Sequence, residues 1–235
     1  MHKRTLSKLI IFAMKKQSFI ISLFFFLSPL YAESVFYGGL GGGVAMLDGR
    51  HKADATSATT FSIVDKKTNK SKLFPQLIIG YQNTLEKFFW GIEGYGAFSN
   101  VSVYDRFVSG PYSAFSKAHK NMSFGCVLRG GFRSKLASPY LLVGGELART
   151  SYEYSYYNAT LSSAFNKNST TFMPLFVIGG GLQKNIKPLI MRLEYTYSAG
   201  SNKVSFKDYD GHTISQSFKL KENRFLLSFI YPFSG

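Results

Sequence analysis

Five charged residues stand out because each lies in a segment that is otherwise apolar and rich in glycine. They are Glu93, Arg129, Glu146, Arg192 and Glu194. An isolated charge in apolar surroundings is costly, so such groups are expected to point towards one another in a shared interior. Paired there, they could cross-link the surrounding walls or line a gate for ions. For segments that close into a narrow barrel we favour cross-linking, because such an interior is usually filled by its own side chains.

Nucleophilic or metal chemistry would need a different arrangement. The nearest grouping for nucleophilic catalysis is Asp208, Asp210, His212 and Ser215, in a segment rich in Ser, Asp and Lys where such a grouping arises by chance. There is no H-E-x-x-H pattern, and the single Cys126 excludes an internal disulfide. We therefore expect no enzyme activity, no catalytic or metal-binding residues and no cofactor.

The elements that must position the five charges begin after a leader. Residues 1–32 have the three parts of a secretory signal peptide: a basic start at Lys15 and Lys16, a short apolar core at 19–27, and a cleavage site at 30–32. The apolar core is too short to span a bilayer. We expect cleavage after Ala32, with Met1 or Met14 as the true start; a retained membrane anchor is the alternative.

Beyond the leader, apolar and polar side chains alternate in eight segments. These are 35–47, 73–82, 88–101, 119–133, 140–151, 170–183, 189–198 and 216–233. Successive side chains of a strand point to opposite faces, and bacterial single-chain barrels have an even number of strands. No later stretch is long and apolar enough for a membrane helix, so a chain that spans a membrane must do so as a closed barrel. The predicted fold is all-β, an eight-stranded antiparallel up-and-down transmembrane β-barrel over 33–235.

The connections alternate in length. Short links at 83–87, 134–139 and 185–188 separate long ones at 48–72, 102–118, 152–169 and 199–215. Outer-membrane barrels have short periplasmic turns and long extracellular loops. The pattern predicts four long extracellular loops and two periplasmic termini.

The positions of the charges fix the direction of the alternation. Glu93 shares a strand face with Gly91 and Tyr95, whereas Ile92 and Phe98 share the other face. A lipocalin-like soluble barrel would place its apolar side chains inside instead. We expect the five charges to point inward, together with Arg133. They should meet at about one level, with Glu93, Arg129 and Glu146 forming a ladder across three neighbouring strands.

The last strand is aromatic along one face. Its predicted lipid-facing residues are Phe225, Leu227, Phe229, Tyr231 and Phe233. We expect this strand to close the barrel against 35–47 and to act as an assembly signal, although Ser234 and Gly235 follow it.

A short pattern occurs twice in the chain. Pro75, Leu77, Ile79 and Gly80 match Pro174, Phe176, Ile178 and Gly179 with equal spacing. Both segments are predicted to run inward from the outside, where a proline is tolerated at the start of a strand or at a bulge.

The predicted loops carry an excess of positive charge. The candidate binding residues are Arg50, Lys52, Lys66, Lys67, Lys70, Lys72, Lys203 and Lys207. A basic outer rim suits lipopolysaccharide phosphates and would equally attract sulfated glycans or other acidic host ligands. The alternative is that these charges only keep the loops solvated.

Several motifs together resemble a known family. They are Phe36-Tyr37-Gly38-Gly39, Gly80-Tyr81, Arg192-Leu193-Glu194-Tyr195 and the aromatic last strand. The chain resembles the small eight-stranded bacterial outer-membrane barrels, which include the transmembrane domain of outer membrane protein A, the X-type proteins and the opacity-type adhesins.

The resemblance implies a location in the outer membrane, with its lipids, lipopolysaccharide and the barrel-assembly machinery as partners. We expect a non-enzymatic surface antigen or adhesin whose loops bind host glycans, host proteins or envelope molecules, and no nucleic-acid partner. A narrow porin-like channel and a structural envelope-integrity protein are the alternatives.

Overall fold

The computed structural model describes residues 33–56, 61–109, 112–158, 163–207 and 213–233. Nearly all of them lie in eight strands: β1 (Glu33–Thr56), β2 (Phe61–Leu85), β3 (Phe88–Ser109), β4 (Tyr112–Phe132), β5 (Ser138–Asn158), β6 (Ser163–Ile186), β7 (Leu189–Lys207) and β8 (Thr213–Phe233). Each strand pairs antiparallel with the next, and β8 pairs with β1, so the sheet closes on itself. The predicted eight-stranded antiparallel barrel is confirmed. The expected signal peptide, 1–32, lies outside the described residues.

The last strand pairs with the first. Phe233 is opposite Phe36, and Phe225 is opposite Val44. The side chains of the predicted aromatic face point outward and are about half exposed: Phe225, Leu227, Phe229, Tyr231 and Phe233. In this pairing β8 lies beside the glycine-rich part of β1, so Tyr231 and Leu227 stand opposite Gly38 and Gly42.

One end of the barrel, which we call the turn end, carries three short connections. They are the turn at 86–87, the segment 133–137 and the turn at 187–188. The described chain also begins and finishes at this end, because β1 starts there and β8 ends there. We call the opposite end, where β1 leads towards β2, the tip end.

An apolar band surrounds the half of the barrel nearest the turn end. On β1 it runs from Phe36 to Met46, and exposed aliphatic side chains such as Leu73 and Leu141 continue it around the wall. The ten residue steps from Phe36 to Met46 correspond to about 33 Å along a strand, or about 25 Å along the axis of a barrel whose strands tilt by about 40°. That height matches the apolar band of an outer-membrane barrel, about 25 Å.

The prediction of four long loops is wrong. The strands are 19 to 25 residues long, about twice the length needed to cross a bilayer. The segments 48–72, 102–118, 152–169 and 199–215 form mostly the outer parts of the strands. Alternation continues there with a different outward face: Val101, Val103 and Phe218 are buried in the interior, whereas exposed outward positions include Arg50 and Lys219 as well as Tyr104. Polar outward side chains are typical of a wall that faces water, and burial of apolar side chains stabilises the inside.

The repeated proline pattern marks two places where strand pairing stops. In the described strands, β2 pairs with β3 only up to Gln76, directly beside Pro75. Likewise, β6 pairs with β7 only up to Phe176, two residues from Pro174. Proline has no N–H to donate to a ladder. The tip half therefore consists of two four-stranded sheets, β7-β8-β1-β2 and β3-β4-β5-β6.

Candidate functional site

The interior near the turn end holds a cluster of two carboxylates and two guanidinium groups. We call it the turn-side cluster; it contains Glu93 on β3, Arg129 on β4, and Arg192 and Glu194 on β7. All four side chains are at most 6% exposed. The Arg129 Nη2 lies 2.8 Å from Glu93 Oε1 and 2.5 Å from Glu194 Oε2, and the Arg192 Nη1 lies 2.5 Å from Glu93 Oε2. The cluster ties β3 to β7 across the barrel and is formally neutral.

Two tyrosines complete this cluster. The Tyr37 hydroxyl donates to Glu93 at 2.9 Å, and the Tyr140 hydroxyl donates to Glu194 at the same distance. Each ring also lies against a guanidinium group: Arg192 is 4.8 Å from the centroid of Tyr37, and Arg129 is 4.8 Å from that of Tyr140. Each charge is thus paired with an opposite charge and also contacts a tyrosine ring or hydroxyl. These contacts offset the free-energy cost of removing the charge from water.

A second cluster lies further towards the tip end. This tip-side cluster contains Lys120 on β4, Glu146 on β5, and Glu222 and Arg224 on β8. Arg224 binds both oxygens of Glu146 at 2.6 Å and Glu222 at 2.8 Å, and the Lys120 ammonium lies 2.5 Å from Glu222. The Tyr95 hydroxyl donates to Glu146 at 2.9 Å. This cluster is also formally neutral, and it ties β8 to β4 and β5.

The predicted single level of charges is wrong for Glu146. Glu146 pairs with Gly125, whereas Arg129 pairs with Leu142, so the two charges lie four residues apart along their shared ladder. Glu146 consequently belongs to the tip-side cluster. Arg133 follows the end of β4, is exposed and lies 3.5 Å from Glu33 at the turn end, so it joins neither cluster.

Three cluster residues escape the sequence prediction. Glu222 and Arg224 lie an even number of residues from the inward-facing Ser228, and side chains at alternate positions share a strand face. Extending the alternation along β8 would therefore predict both as inward-facing. Lys120 has the opposite parity to Arg129 on the same strand. A register shift between Lys120 and Met122 turns it inward, and the sequence carries no clear sign of that bulge.

Glycines make room for the cluster tyrosines. A Cβ added to Gly80 would collide with the ring of Tyr37, and one added to Gly125 would collide with the ring of Tyr95. At the outward-facing Gly130, by contrast, an added Cβ meets open space. The glycine-rich strands therefore serve lumen packing at these positions.

The two clusters leave little free space between them. A cavity lined by Glu93, Tyr95, Glu194 and Arg224 has a volume of about 10 Å³, which is room for a single water molecule. Some guanidinium nitrogens facing the lumen, including Nε of Arg129 and Arg192, have no hydrogen-bond partner within the protein. Such a lumen is filled by its own side chains.

The predicted basic loop residues lie on strands. Arg50 and Lys52 are in β1, Lys66, Lys67, Lys70 and Lys72 are in β2, and Lys203 and Lys207 are in β7. The Lys70 ammonium reaches from β2 to β3, where it donates to the carbonyl oxygen of Ser102 at 2.7 Å and lies 5.5 Å from the centroid of Tyr104. Lys70 thus bridges the two sheets of the tip half rather than projecting into solvent.

The residues considered for catalysis are not brought together in the described structure. Asp208, Asp210 and His212 lie outside the described residues, and the Ser215 hydroxyl lies 3.1 Å from that of Ser205. Among described residues, no group of three or more His, Cys, Asp or Glu side chains is placed to hold a metal ion. No helix in the described part of the chain is long and apolar enough to cross a membrane.

Comparison with known proteins gives fold-level similarities only. No family model and no characterised protein sequence matches the chain. Among solved structures, the outer membrane protein OprG from Pseudomonas aeruginosa is 13% identical with a TM-score of 0.44, covering 86% of this chain and 98% of that one. Neisserial surface protein A is 11% identical with a TM-score of 0.38, covering 86% and 99%. Ail, the attachment invasion locus protein of Yersinia pestis, is 12% identical with a TM-score of 0.28, covering 80% and 97%. Values this low carry no functional argument, and the fold follows from the closed sheet itself.

Proposed function

We propose that this protein is a bacterial outer-membrane barrel that neither conducts ions nor catalyses a reaction, and whose tip half binds envelope or host molecules. The single observation that carries the proposal is the filled lumen beneath an extended outer wall. Because the interior formed by the described strands offers no passage, the surface beyond the apolar band is left as the part of the molecule that meets other molecules.

The apolar band supports the membrane location. Outward residues such as Leu40, Ile79 and Leu193 are more than half exposed in a closed barrel whose interior holds eight paired charges. Monomeric soluble proteins rarely expose so large a continuous apolar surface, whereas lipid is a favourable environment for it.

The clusters argue against the narrow-channel alternative. Ion passage needs a continuous path lined by groups that an ion can bind and leave. Here Glu93 and Glu146 are each held by two cations and a tyrosine hydroxyl. Opening a path would break both neutral clusters, one above the other.

The test combines conductance with binding by trimmed variants. In one variant, residues 105–116 are removed. Tyr104 and Lys117, which are partners across the β3–β4 ladder, are then joined by an Asn-Gly turn. A second removes 204–216 and joins Lys203 to Ser217 in the same way. Faster migration of unheated than of heated protein on a gel checks that each barrel is folded.

We expect no stable conductance from the intact protein in planar bilayers. Bacteria that carry it should adhere to host cells or bind serum proteins, and trimming should reduce that binding. A large, steady conductance, or equal binding by both folded trimmed variants and the intact protein, would overturn the proposal.

A further inference from the structure

Three aromatic side chains form a diagonal line on the outer wall of the tip half. Tyr104 on β3 lies opposite Lys117 of β4, two residues from Phe115. Phe115 in turn lies opposite Ser155 of β5, two residues from Tyr157. Each ring is therefore one strand across from the previous one and two residues nearer the tip end, and the whole line spans about 16 Å. We call Tyr104, Phe115 and Tyr157 the aromatic stripe.

The stripe lies beyond the apolar band. Val103 is buried, so Tyr104 beside it in the chain points outward. Across the ladders, Tyr104 belongs to the same row as Asn168 of β6, which is four residues further towards the tip end than the exposed Phe172. Four residues of strand correspond to about 13 Å, which separates the stripe from the lipid-facing side chains.

The rings of the stripe are both accessible and held in place. Tyr104 is 56% exposed and Tyr157 is 47% exposed. The rings of Tyr104 and Phe115 are 6.5 Å apart with an angle of 26° between their planes, and the Lys70 ammonium lies 5.5 Å from the centroid of Tyr104. Contacts between neighbouring rings stabilise a sheet, yet about half of each tyrosine still faces solvent. Side chains that are ordered before binding lose little entropy when a ligand covers them.

Amide and hydroxyl groups border the stripe. Ser155 and Asn166 continue the row of Phe115 across β5 and β6, and Asn168 lies in the next row. Both asparagines are exposed. An asparagine amide both donates and accepts hydrogen bonds, so this border can pair with hydroxyl groups of either orientation.

The charged groups beside the stripe are already engaged within the protein. The Lys117 ammonium lies 3.3 Å from Glu153, in the row of Tyr104. Arg106, opposite Phe115, also has a partner of its own. An uncharged ligand therefore suits this wall better than an anionic one.

We propose that the aromatic stripe binds uncharged oligosaccharide chains. This rests on the binding role proposed above for the tip half and names its ligand class and its place. Sugar rings have apolar C–H faces that pack on aromatic rings, and hydroxyl groups at their edges that hydrogen-bond to amides. The stripe and its bordering asparagines offer both kinds of contact on one wall. A narrow line of rings suits a chain-like ligand, whereas a protein interface typically buries about 800 Å² on each partner.

The test compares three double variants. Tyr104→Thr/Tyr157→Thr removes the two exposed rings and introduces a residue that favours strands. Tyr104→Phe/Tyr157→Phe keeps the rings and loses only their hydroxyl groups. Lys203→Gln/Lys219→Gln removes two exposed cations from the other sheet and is the control for attraction by charge. Faster migration of unheated than of heated protein checks that each barrel is folded.

The probes are immobilised neutral oligosaccharides of glucose, galactose or N-acetylglucosamine, with heparin as the anionic comparison. We expect the intact protein, the Phe variant and the lysine variant to retain the same neutral oligosaccharides. The Thr variant should bind them about tenfold or more weakly, because truncated aromatic side chains cause the largest losses at binding surfaces. Retention on heparin should fall in the lysine variant and stay unchanged in the Thr variant.

Equal binding of neutral oligosaccharides by the Thr variant and the intact protein, or equal losses in the Thr and Phe variants, would overturn the site. Adhesion to host cells by an intact protein that retains none of the neutral oligosaccharides would also overturn it, while leaving the proposed function standing. The proposed function itself would be overturned by a steady conductance or by undiminished adhesion of both trimmed variants.

Discussion

The band half and the tip half of this barrel are built from the same eight strands but differ in what their outer walls present. In the band half, charged Glu93 and Arg129 point inward, and apolar Leu128 and Ile92 point outward. In the tip half, apolar Val103 also lies inside, but most exposed outward residues, such as Arg50 and Lys219, are polar. The comparison shows that period-two alternation is typical of a strand in both halves, whereas the side chains on the outward face suit different surroundings.

The largest expected effect comes from removing one charge in the band half. Glu93→Gln leaves Arg129 and Arg192 without their shared carboxylate, and loss of one partner from a buried ion pair costs about 3–5 kcal/mol. The matched change in the tip half, Glu153→Gln, breaks a partly exposed pair with Lys117 and should cost only about 0–1 kcal/mol. Urea unfolding in lipid vesicles, followed by the heat-modifiable gel shift, measures both. Similar losses of stability would remove the energetic distinction between the two halves.

The next effect comes from placing a charge on the outside of each half. Leu128 is 52% exposed on the outward face of the band, and Leu128→Arg should destabilise the barrel by about 2–4 kcal/mol if lipid surrounds it. Asn168→Arg, at an exposed site on the tip half of β6, should have little effect. The free energies of unfolding of the two variants are compared in lipid vesicles. An Arg tolerated equally at both sites would mean that the band does not face lipid.

A smaller effect is expected from filling the space beneath a cluster tyrosine. Gly125→Ala would push Tyr95 away from Glu146, and overpacking of this kind costs typically about 1–3 kcal/mol. Gly130→Ala on the same strand meets open space and is the control. Urea midpoints of the two variants provide the measurement. A loss confined to Gly125→Ala supports the role of the glycine, whereas matching midpoints would contradict it.

The smallest effect concerns pH and the tip half. Burial, reinforced by the nearby Lys117, lowers the pKa of His119, while Glu153 opposes the shift. Because the pKa is lower in the folded protein, stability is fully present above the unfolded pKa of about 6.5 and is lost as pH falls through the folded pKa. His119 is partly exposed, so the change should be small. Between pH 7.5 and 5, the urea midpoint of the intact protein should fall slightly more than that of His119→Gln; parallel changes would exclude this contribution.

The sequence predicts the closed barrel well because the apolar band leaves a strong signal. Aromatic residues such as Phe229 and Tyr231 recur at alternate positions, and an inward Glu93 fixes the direction of the pattern. The tip half is misread as loops because its outward lysines and serines are also typical of loops, and beyond Met46 large apolar residues no longer recur regularly on the outward face. Inward apolar residues such as Val103 carry a local sign of a strand there.

The candidate site is predicted in part for a different reason. Parity along a strand locates Glu93 and Arg192 inside the lumen, but parity alone does not set the height of one strand against another. Register does, and it separates Glu146 from Arg129. A bulge then hides Lys120 altogether, because one extra residue exchanges the inward and outward faces.

The ends of two ladders beside Pro75 and Pro174 also bear on how this surface can change over generations. Beyond those points neither sheet relies on ladder hydrogen bonds to the other, although Lys70 still links them. A substitution at an outward position of one sheet leaves the ladder of the other sheet intact, whereas inward residues such as Tyr152 and Phe218, whose rings lie 6.4 Å apart, pack across both sheets. The outward positions of each sheet could therefore diversify separately while the shared interior stays unchanged.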